Sequence, residues 1–254
     1  LPDAVGALDV AGSQRAATSA LLAALGGKET TLVTAAEITT PKPASEREMT
    51  SGDAAAAVLV GTGTPIATLV ASHSVTMDFV DHFREAGEAH DYDWEARWVR
   101  DEGFARIMNP AIAALLKKAG IDGAAIDHFL VPVAVKGVPE MLAKKAGIGE
   151  GAIADTLGAS LGHAGAAHAL VMLAAALETA KPGERILLAS FGQGCDLILF
   201  EVTGAIGSVK PRLGLSGWLA RRIESTNYAK YLFHRGLLQL DRAARAEHDS
   251  KTAL

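Results

Sequence analysis

The chain has 254 residues, of which 49% are hydrophobic and 21% charged, so it holds enough apolar mass for one large or two small domains. Its formal net charge of -5 argues against broad nucleic-acid binding, which needs a basic footprint, but leaves room for a local basic pocket around one anionic ligand. The single cysteine, Cys195, excludes an internal disulfide and a cysteine-cluster zinc site and indicates a reducing compartment, the cytoplasm.

No segment predicts a membrane span or an export signal. The most apolar stretch, Ala164 to Leu177, is shorter than the roughly 20 residues that a spanning helix needs, and it contains His168. The N-terminus has neither a basic region nor a signal-like apolar block. Because it also lacks an initiator methionine, we expect a processed chain or a fragment.

The first part of the chain predicts one helix and three strands. Apolar residues recur at helical spacing between Asp9 and Leu25. Short apolar segments predict strands at 30–35, 54–60 and 65–72. The Gly-Thr-Gly turn at 61–63 predicts that the last two strands are neighbours in a hairpin. Residues 73–102 are charged and rich in histidine and aromatic side chains, which is typical of an inserted connector.

A second series of helices and strands follows the connector. Helices are predicted at 109–119, 139–146 and 164–177, and strands at 128–135, 185–191 and 196–202. The last segment, 208–254, is basic and aromatic in its middle and polar at its end. This alternation predicts a layered α/β fold, and the similar shape of the two series favours a duplicated architecture.

Glycine and unusual polar residues concentrate at four places. Two are the helix start AGSQRAAT (11–18), which contains Gln14, and the strand entry SGDAAAAVLVG (51–61). In LGHAGAAHAL (161–170), His163 lies just before a helix N-terminus, whose dipole favours a neutral imidazole. In SFGQGCD (190–196), two glycines let backbone N–H groups approach a ligand oxygen closely.

These segments resemble the thiolase superfamily, specifically its branch of ketoacyl synthase III and 3-hydroxy-3-methylglutaryl-CoA (HMG-CoA) synthase. GDAAAAVLVG resembles that family's GDGAAA strand, GHAGAAHAL occupies the place of its asparagine-bearing helix start, and FGQGCD resembles its closing FGxG turn. MDFVDHFREAGEAH (77–90) and YAKYLFHRG (228–236) resemble segments of the archaeal-type HMG-CoA synthases. The resemblance implies a thiolase-like αβαβα layered sandwich of two related halves.

The resemblance also implies a division of the chain. Residues 1–72 correspond to the remainder of the first half, 73–108 to a connector, 109–205 to the second half and 206–254 to a C-terminal extension. The N-terminal part of the first half, with the loop that carries the synthase's catalytic glutamate, has no counterpart. We therefore expect either a C-terminal piece of a longer protein or a missing part supplied by something else.

The catalytic positions of the family are altered in this sequence. Its acylated cysteine falls on Gln14, which is not a nucleophile. The histidine of its second catalytic segment falls on Pro132 or Val133, and only the third polar position is kept, as His163 in place of asparagine. The usual cysteine–histidine chemistry is therefore not expected from this chain.

Each remaining candidate has a structural alternative. His163 is a general base or an oxyanion donor, or else it caps a helix. Gly192 and Gly194 line the acyl pocket, as the resemblance implies, or they only shape a turn. Cys195 has no adjacent base in the sequence and is expected to be a buried structural residue rather than a nucleophile.

The resemblance places Lys136, Lys144 and Lys145 where the family binds the phosphates and the pantetheine arm of coenzyme A. Solvated helix lysines are the usual explanation for such residues. The connector histidines lack the spacing of metal ligands, so no metal is expected in this chain. The aromatic and basic segment 228–236 is expected to complete the fold.

Two functions follow from the resemblance. The first is an acyl-CoA enzyme that makes or breaks a carbon–carbon bond, since an aldol or retro-aldol step needs a base and an oxyanion hole but no acyl-enzyme. The second is a catalytically silent thiolase-like subunit that scaffolds a partner thiolase or an OB-fold zinc-ribbon protein. Both imply a homo- or hetero-oligomer without nucleic-acid or membrane partners.

Overall fold

The computed structural model describes residues 5–209 and 213–239, and the chain divides into two compact units, residues 1–221 and 222–254. The helices of the first unit are α1 (Ala16–Gly26), α2 (Glu46–Thr50), α3 (Ala96–Trp98), α4 (Asn109–Ala119), α5 (Val138–Ala146), α6 (His168–Thr179) and α7 (Gly214–Ala220). Its strands are β1 (Thr31–Glu37), β2 (Ala54–Val60), β3 (Ala67–Thr76), β4 (His82–Phe83), β5 (Tyr92–Asp93), β6 (His128–Leu130), β7 (Arg185–Phe191) and β8 (Gly194–Val202). The described part of the second unit contains α8 (Tyr228–His234).

A four-stranded sheet with the order β3-β8-β7-β6 forms the centre of the first unit. β6 and β7 are parallel, and the other neighbours are antiparallel. Successive residues of β7 point to opposite faces: Leu187 and Ala189 join one core cluster, and Ile186 and Leu188 join the other. Both faces of the sheet are therefore buried, which explains the nearly continuous apolar sequence of its central strands.

Four layers result from this packing. One core cluster places α4 and α5 on one face of the four-stranded sheet, and the second places α1 and α6 on the other face. The two-stranded sheet β1–β2 packs on the far side of α1 and α6. Its outer face carries the exposed side chains of Leu32 and Leu59, which pair across the two strands.

The predicted hairpin between the second and third strands is wrong. β2 pairs with β1 in the small sheet, whereas β3 pairs with β8 in the large one. The Gly-Thr-Gly turn therefore carries the chain between two sheets. The strand predicted at 128–135 ends at Leu130, and Pro132, which has no N–H to donate to a ladder, lies just beyond it.

The connector predicted at 73–102 contains more regular structure than expected. β3 continues to Thr76, and β4 and β5 form a short hairpin. Helical structure begins at Ala96 rather than at Asn109, because α3, a π-helical segment (Val99–Met108) and α4 follow one another without a break. Pro110 has no N–H for a helical hydrogen bond, and the wider π-helical turns lie directly before it.

The remaining helices are close to their predicted positions. α5 and α6 occupy 138–146 and 168–179, and a 3-10 turn (Gly165–Ala167) precedes α6. α1 begins at Ala16, later than the predicted start at Asp9. No helix within 5–209 or 213–239 has both the length and the apolar character to cross a membrane. Residues 240–254, the predicted polar tail, lie outside the described residues.

Candidate active site

Gln14 lies two residues before α1 and is packed against the glycine turn between β7 and β8. A Cβ atom on Gly192 would lie 2.7 Å from Ser13 Oγ and 3.1 Å from the backbone nitrogen of Gln14, so only glycine permits this approach. A Cβ atom on Gly194 would lie 1.9 Å from the carbonyl oxygen of Val75. The structure therefore brings the glycine turn next to Gln14, where the resemblance places the nucleophile of the family.

Arg15 fastens the start of α1 to this turn and to the sheet beneath it. Its Nε donates to the carbonyl oxygen of Gly192 at 2.7 Å, and its Nη1 forms an ion pair with Asp196 Oδ1 at 2.8 Å. The Asp196 carboxylate is buried and also accepts hydrogen bonds from the hydroxyl groups of Ser19, Ser74 and Thr18. A buried charge with this many donors fixes the backbone that carries Gln14.

The side chain of Gln14 meets a histidine that the sequence analysis did not select. Its Nε2 lies 3.0 Å from Nδ1 of His82 and also contacts His82 Nε2. Nδ1 of His82 lies 3.1 Å from Oδ1 of Asp81. Burial raises the pKa of Asp81, but the hydrogen bond and charge of His82, with Arg47, outweigh burial and lower that pKa below its ordinary value. The carboxylate is thus kept ionised beside the imidazole.

The β4–β5 hairpin holds His82 in place. His82 pairs with Asp93 across the two strands, and the backbone nitrogen of Trp94 donates to the carbonyl oxygen of Asp81 at 3.1 Å. Arg47, at α2, forms an ion pair with Asp93 and lies 3.6 Å from Asp91 Oδ2. These ion pairs connect the hairpin to α2.

His163 belongs to the same region. Its backbone nitrogen donates to the carbonyl oxygen of Thr50 at 2.7 Å, and its carbonyl oxygen accepts from the nitrogen of Gly52 at 3.0 Å. Burial lowers the pKa of His163 to about 3, with smaller contributions from the nearby His168, Arg47 and His82. The imidazole is therefore neutral at physiological pH.

His168 positions the ring of His163. Its Nδ1 accepts from the backbone nitrogen of Ala164 at 3.2 Å, and its Nε2 donates to the carbonyl oxygen of Thr156 at 2.9 Å. Both ring nitrogens are used, which fixes a neutral tautomer, and burial lowers its pKa. The rings of His163 and His168 are 4.8 Å apart, so the buried ring supports the more accessible one.

The other residues that the sequence predicted are buried or lie along α5. Pro132 and Val133 are buried, and the buried Cys195 thiol has its pKa raised to about 12, chiefly by desolvation. Lys144 lines a cleft of about 540 Å³ along α5, together with Glu140. Lys136 and Lys145 are exposed near that helix. No contact of the three lysines with Gln14 is observed in the described residues.

Known proteins resemble this chain in sequence and in fold. The family model described as 3-oxoacyl-[acyl-carrier-protein] synthase III, C terminal, matches residues 116–198. The HMG-CoA synthase of Methanosarcina mazei is 25% identical over 214 residues, which cover 82% of this chain and 61% of that protein. The HMG-CoA synthase of Aeropyrum pernix is 29% identical over 82% of this chain and 58% of its own length. The chain thus spans about three fifths of the length of these relatives.

Solved structures share the fold. The 3-oxoacyl-[acyl-carrier-protein] synthase III of Aquifex aeolicus has a TM-score of 0.69 at 19% identity, covering 78% of this chain and 68% of that one. An HMG-CoA synthase complexed with CoA has a TM-score of 0.68 at 16% identity, covering 85% of this chain and 60% of that one. The chain thus has a thiolase-like α/β fold. These matches support the resemblance of the chain to the thiolase superfamily, in the branch of the HMG-CoA synthases and 3-oxoacyl-[acyl-carrier-protein] synthase III.

Proposed function

We propose that this chain acts on a CoA thioester in an HMG-CoA-synthase-like reaction that makes or breaks a carbon–carbon bond without an acyl-enzyme. One observation carries the proposal. Gly192 closely approaches the backbone of Gln14, so an amide side chain lies beside the glycine turn, at the position where the resemblance puts the nucleophile. The similarity to HMG-CoA synthases supports the choice of thioester chemistry.

Gln14 and His163 suit the stabilisation of an oxyanion. A glutamine amide donates N–H bonds and carries no charge, and the low pKa of His163 keeps its imidazole neutral. In an aldol or retro-aldol step, negative charge develops on the thioester oxygen as the enolate forms. Donors fixed before the reaction stabilise that charge, and removing one such donor typically lowers turnover by roughly 100- to 1000-fold.

Neither Ser13 nor Cys195 is suited to form a covalent acyl intermediate. Ser13 Oγ donates a hydrogen bond to the carbonyl oxygen of Gly192 at 2.9 Å, and no basic side chain is seen to deprotonate it. The Cys195 thiol is buried and stays protonated at neutral pH because its pKa is about 12. The aldol-type route needs neither group.

Coenzyme A is the carrier that the comparisons favour, since related structures hold CoA or HMG-CoA. Lys136, Lys144 and Lys145 remain our proposed contacts to its phosphates. The cleft beside Lys144 has apolar walls from Met141 among others, but it also contains Glu140. The test of these lysines is therefore a charge reversal rather than a charge removal.

The proposal is tested by incubating the chain with HMG-CoA and with 3-hydroxybutyryl-CoA and following acetyl-CoA release by mass spectrometry. We expect release by the native chain, an unmodified intact mass throughout, and a loss of roughly 100-fold in Gln14→Ala. Gln239→Ala, an exposed glutamine of the second unit, is the matched control and should leave the rate unchanged. An acyl adduct on the chain, or binding of both thioesters without cleavage, would contradict the proposal. The second result would favour a silent subunit.

A further inference from the structure

Making or breaking a carbon–carbon bond next to a thioester needs a group that transfers a proton. Neither the family's histidine position nor His163 supplies such a group in this chain. The family's histidine position falls on the buried Pro132 or Val133, which have no titratable group. His163 has a pKa of about 3, so it is a weak base at neutral pH. The proton must therefore be handled by another side chain at Gln14.

His82 is the titratable side chain that contacts Gln14. The Gln14 Nε2 atom lies 3.0 Å from His82 Nδ1 and is also in contact with His82 Nε2. The side chain of His82 is 15% exposed, so it is largely shielded yet still open to a small molecule. It comes from the connector and not from either of the segments that carry the family's catalytic histidine and asparagine.

Asp81 gives the imidazole a defined orientation and tautomer. Its Oδ1 lies 3.1 Å from His82 Nδ1, so the Nδ1–H group donates to the carboxylate. Nε2 then carries the lone pair of the ring, and the Gln14 side chain is in contact with that atom. A histidine that acts as a general base commonly has one ring nitrogen hydrogen-bonded to a carboxylate, while the other nitrogen takes the proton from the substrate. The ionised state of Asp81 at neutral pH agrees with this assignment.

We infer that His82, oriented by Asp81, is the acid–base group of this site and supplies the proton transfer that the family's lost histidine position cannot. The inference rests on the proposed function. In the cleavage direction, His82 Nε2 takes the proton of the β-hydroxyl group, and the O–H electron pair forms the new carbonyl. The Cα–Cβ bond breaks, and its electron pair forms the enolate of the thioester. Nε2–H then protonates Cα, which leaves acetyl-CoA, a carbonyl product and a neutral histidine.

The same proton transfer can be observed without a second substrate. A base beside the thioester exchanges the methyl protons of acetyl-CoA for deuterium in D2O, which mass spectrometry measures. We expect exchange by the native chain and a loss of at least about 100-fold in His82→Gln, which keeps a polar side chain at Gln14 but cannot transfer the proton. Added imidazole should restore part of the exchange in His82→Ala. His73→Gln, a histidine on β3, is the matched control.

Asp81 is a positioning residue, so Asp81→Asn should slow exchange about 10-fold or more while the Kd for acetyl-CoA and the melting temperature stay unchanged. The outcomes separate the two proposals. Exchange that persists in His82→Gln, or the absence of imidazole rescue in a folded His82→Ala, would overturn the role of His82 alone. A native chain that binds acetyl-CoA but exchanges no proton would overturn the proposed function as well.

Discussion

Replacing Asp196 by alanine removes the anion on which the start of α1 depends. The carboxylate is 1% exposed and accepts from Arg15 Nη1 at 2.8 Å, Ser74 Oγ at 2.7 Å and Ser19 Oγ at 2.6 Å. Without it, the Arg15 guanidinium, whose side chain is 13% exposed, keeps its charge in a site with no counter-ion. Breaking a buried ion pair in this way costs about 3–5 kcal/mol.

The assay is thermal and urea unfolding of the 254-residue chain. For a protein of this size, about 1 kcal/mol corresponds to roughly 2–4 °C in Tm, so Asp196→Ala should lower Tm by roughly 6–20 °C. Asp196→Asn keeps an acceptor for Arg15 and should lose about half as much. Asp101→Ala, which removes an exposed partner of Arg100, should leave Tm unchanged. Equal Tm values for Asp196→Ala and the native chain would refute the reasoning that this carboxylate anchors Gln14.

Three further predictions follow. The pKa of His163 in the folded chain is about 3, so below about pH 6.5 the unfolded chain binds a proton that the folded chain does not. Between pH 7 and pH 4, the free energy of unfolding from urea midpoints should therefore fall by about 2–3 kcal/mol more in the native chain than in His163→Asn. Parallel curves for the two proteins would contradict the burial of His163. Lys144→Glu should weaken CoA binding by roughly 5- to 30-fold, as measured by calorimetry at low salt. Lys117→Glu on α4 should leave CoA binding unchanged. Equal effects of the two substitutions would show that Lys144 does not contact CoA. Iodoacetamide should label Cys195 only in urea; labelling of the native chain would show a thiol less buried than the structure has it.

The sequence predicted those features that depend on residues close together along the chain. A mainly apolar segment predicts β7 at 185–191, and the sheet buries both faces of that strand. Gln14 and Gly192 were matched through short motifs whose backbone geometry is set by neighbouring residues. Short sequence motifs can predict parts of a site of this kind.

Long-range contacts account for what was missed. The glycine turn after β2 is typical of a hairpin, but β3 finds its partner in β8, far along the chain, and this non-local pairing overrides the local signal. His82 was set aside because the connector shows no ligand spacing, and its role arises only when the β4–β5 hairpin, fastened by Arg47, folds against Gln14. The adjacent Asp81-His82 pair was the signal available in the sequence.

The site differs from a cysteine-dependent condensing enzyme in one respect that can be observed directly. A crystal structure of the chain with a CoA thioester analogue whose sulfur is replaced by a methylene group would locate the reacting carbonyl. We expect its oxygen at about 3 Å from the Gln14 amide nitrogen, with Cα facing Nε2 of His82. A carbonyl bound elsewhere, with Gln14 still bonded to His82 and no atom of the analogue at either side chain, would contradict the account.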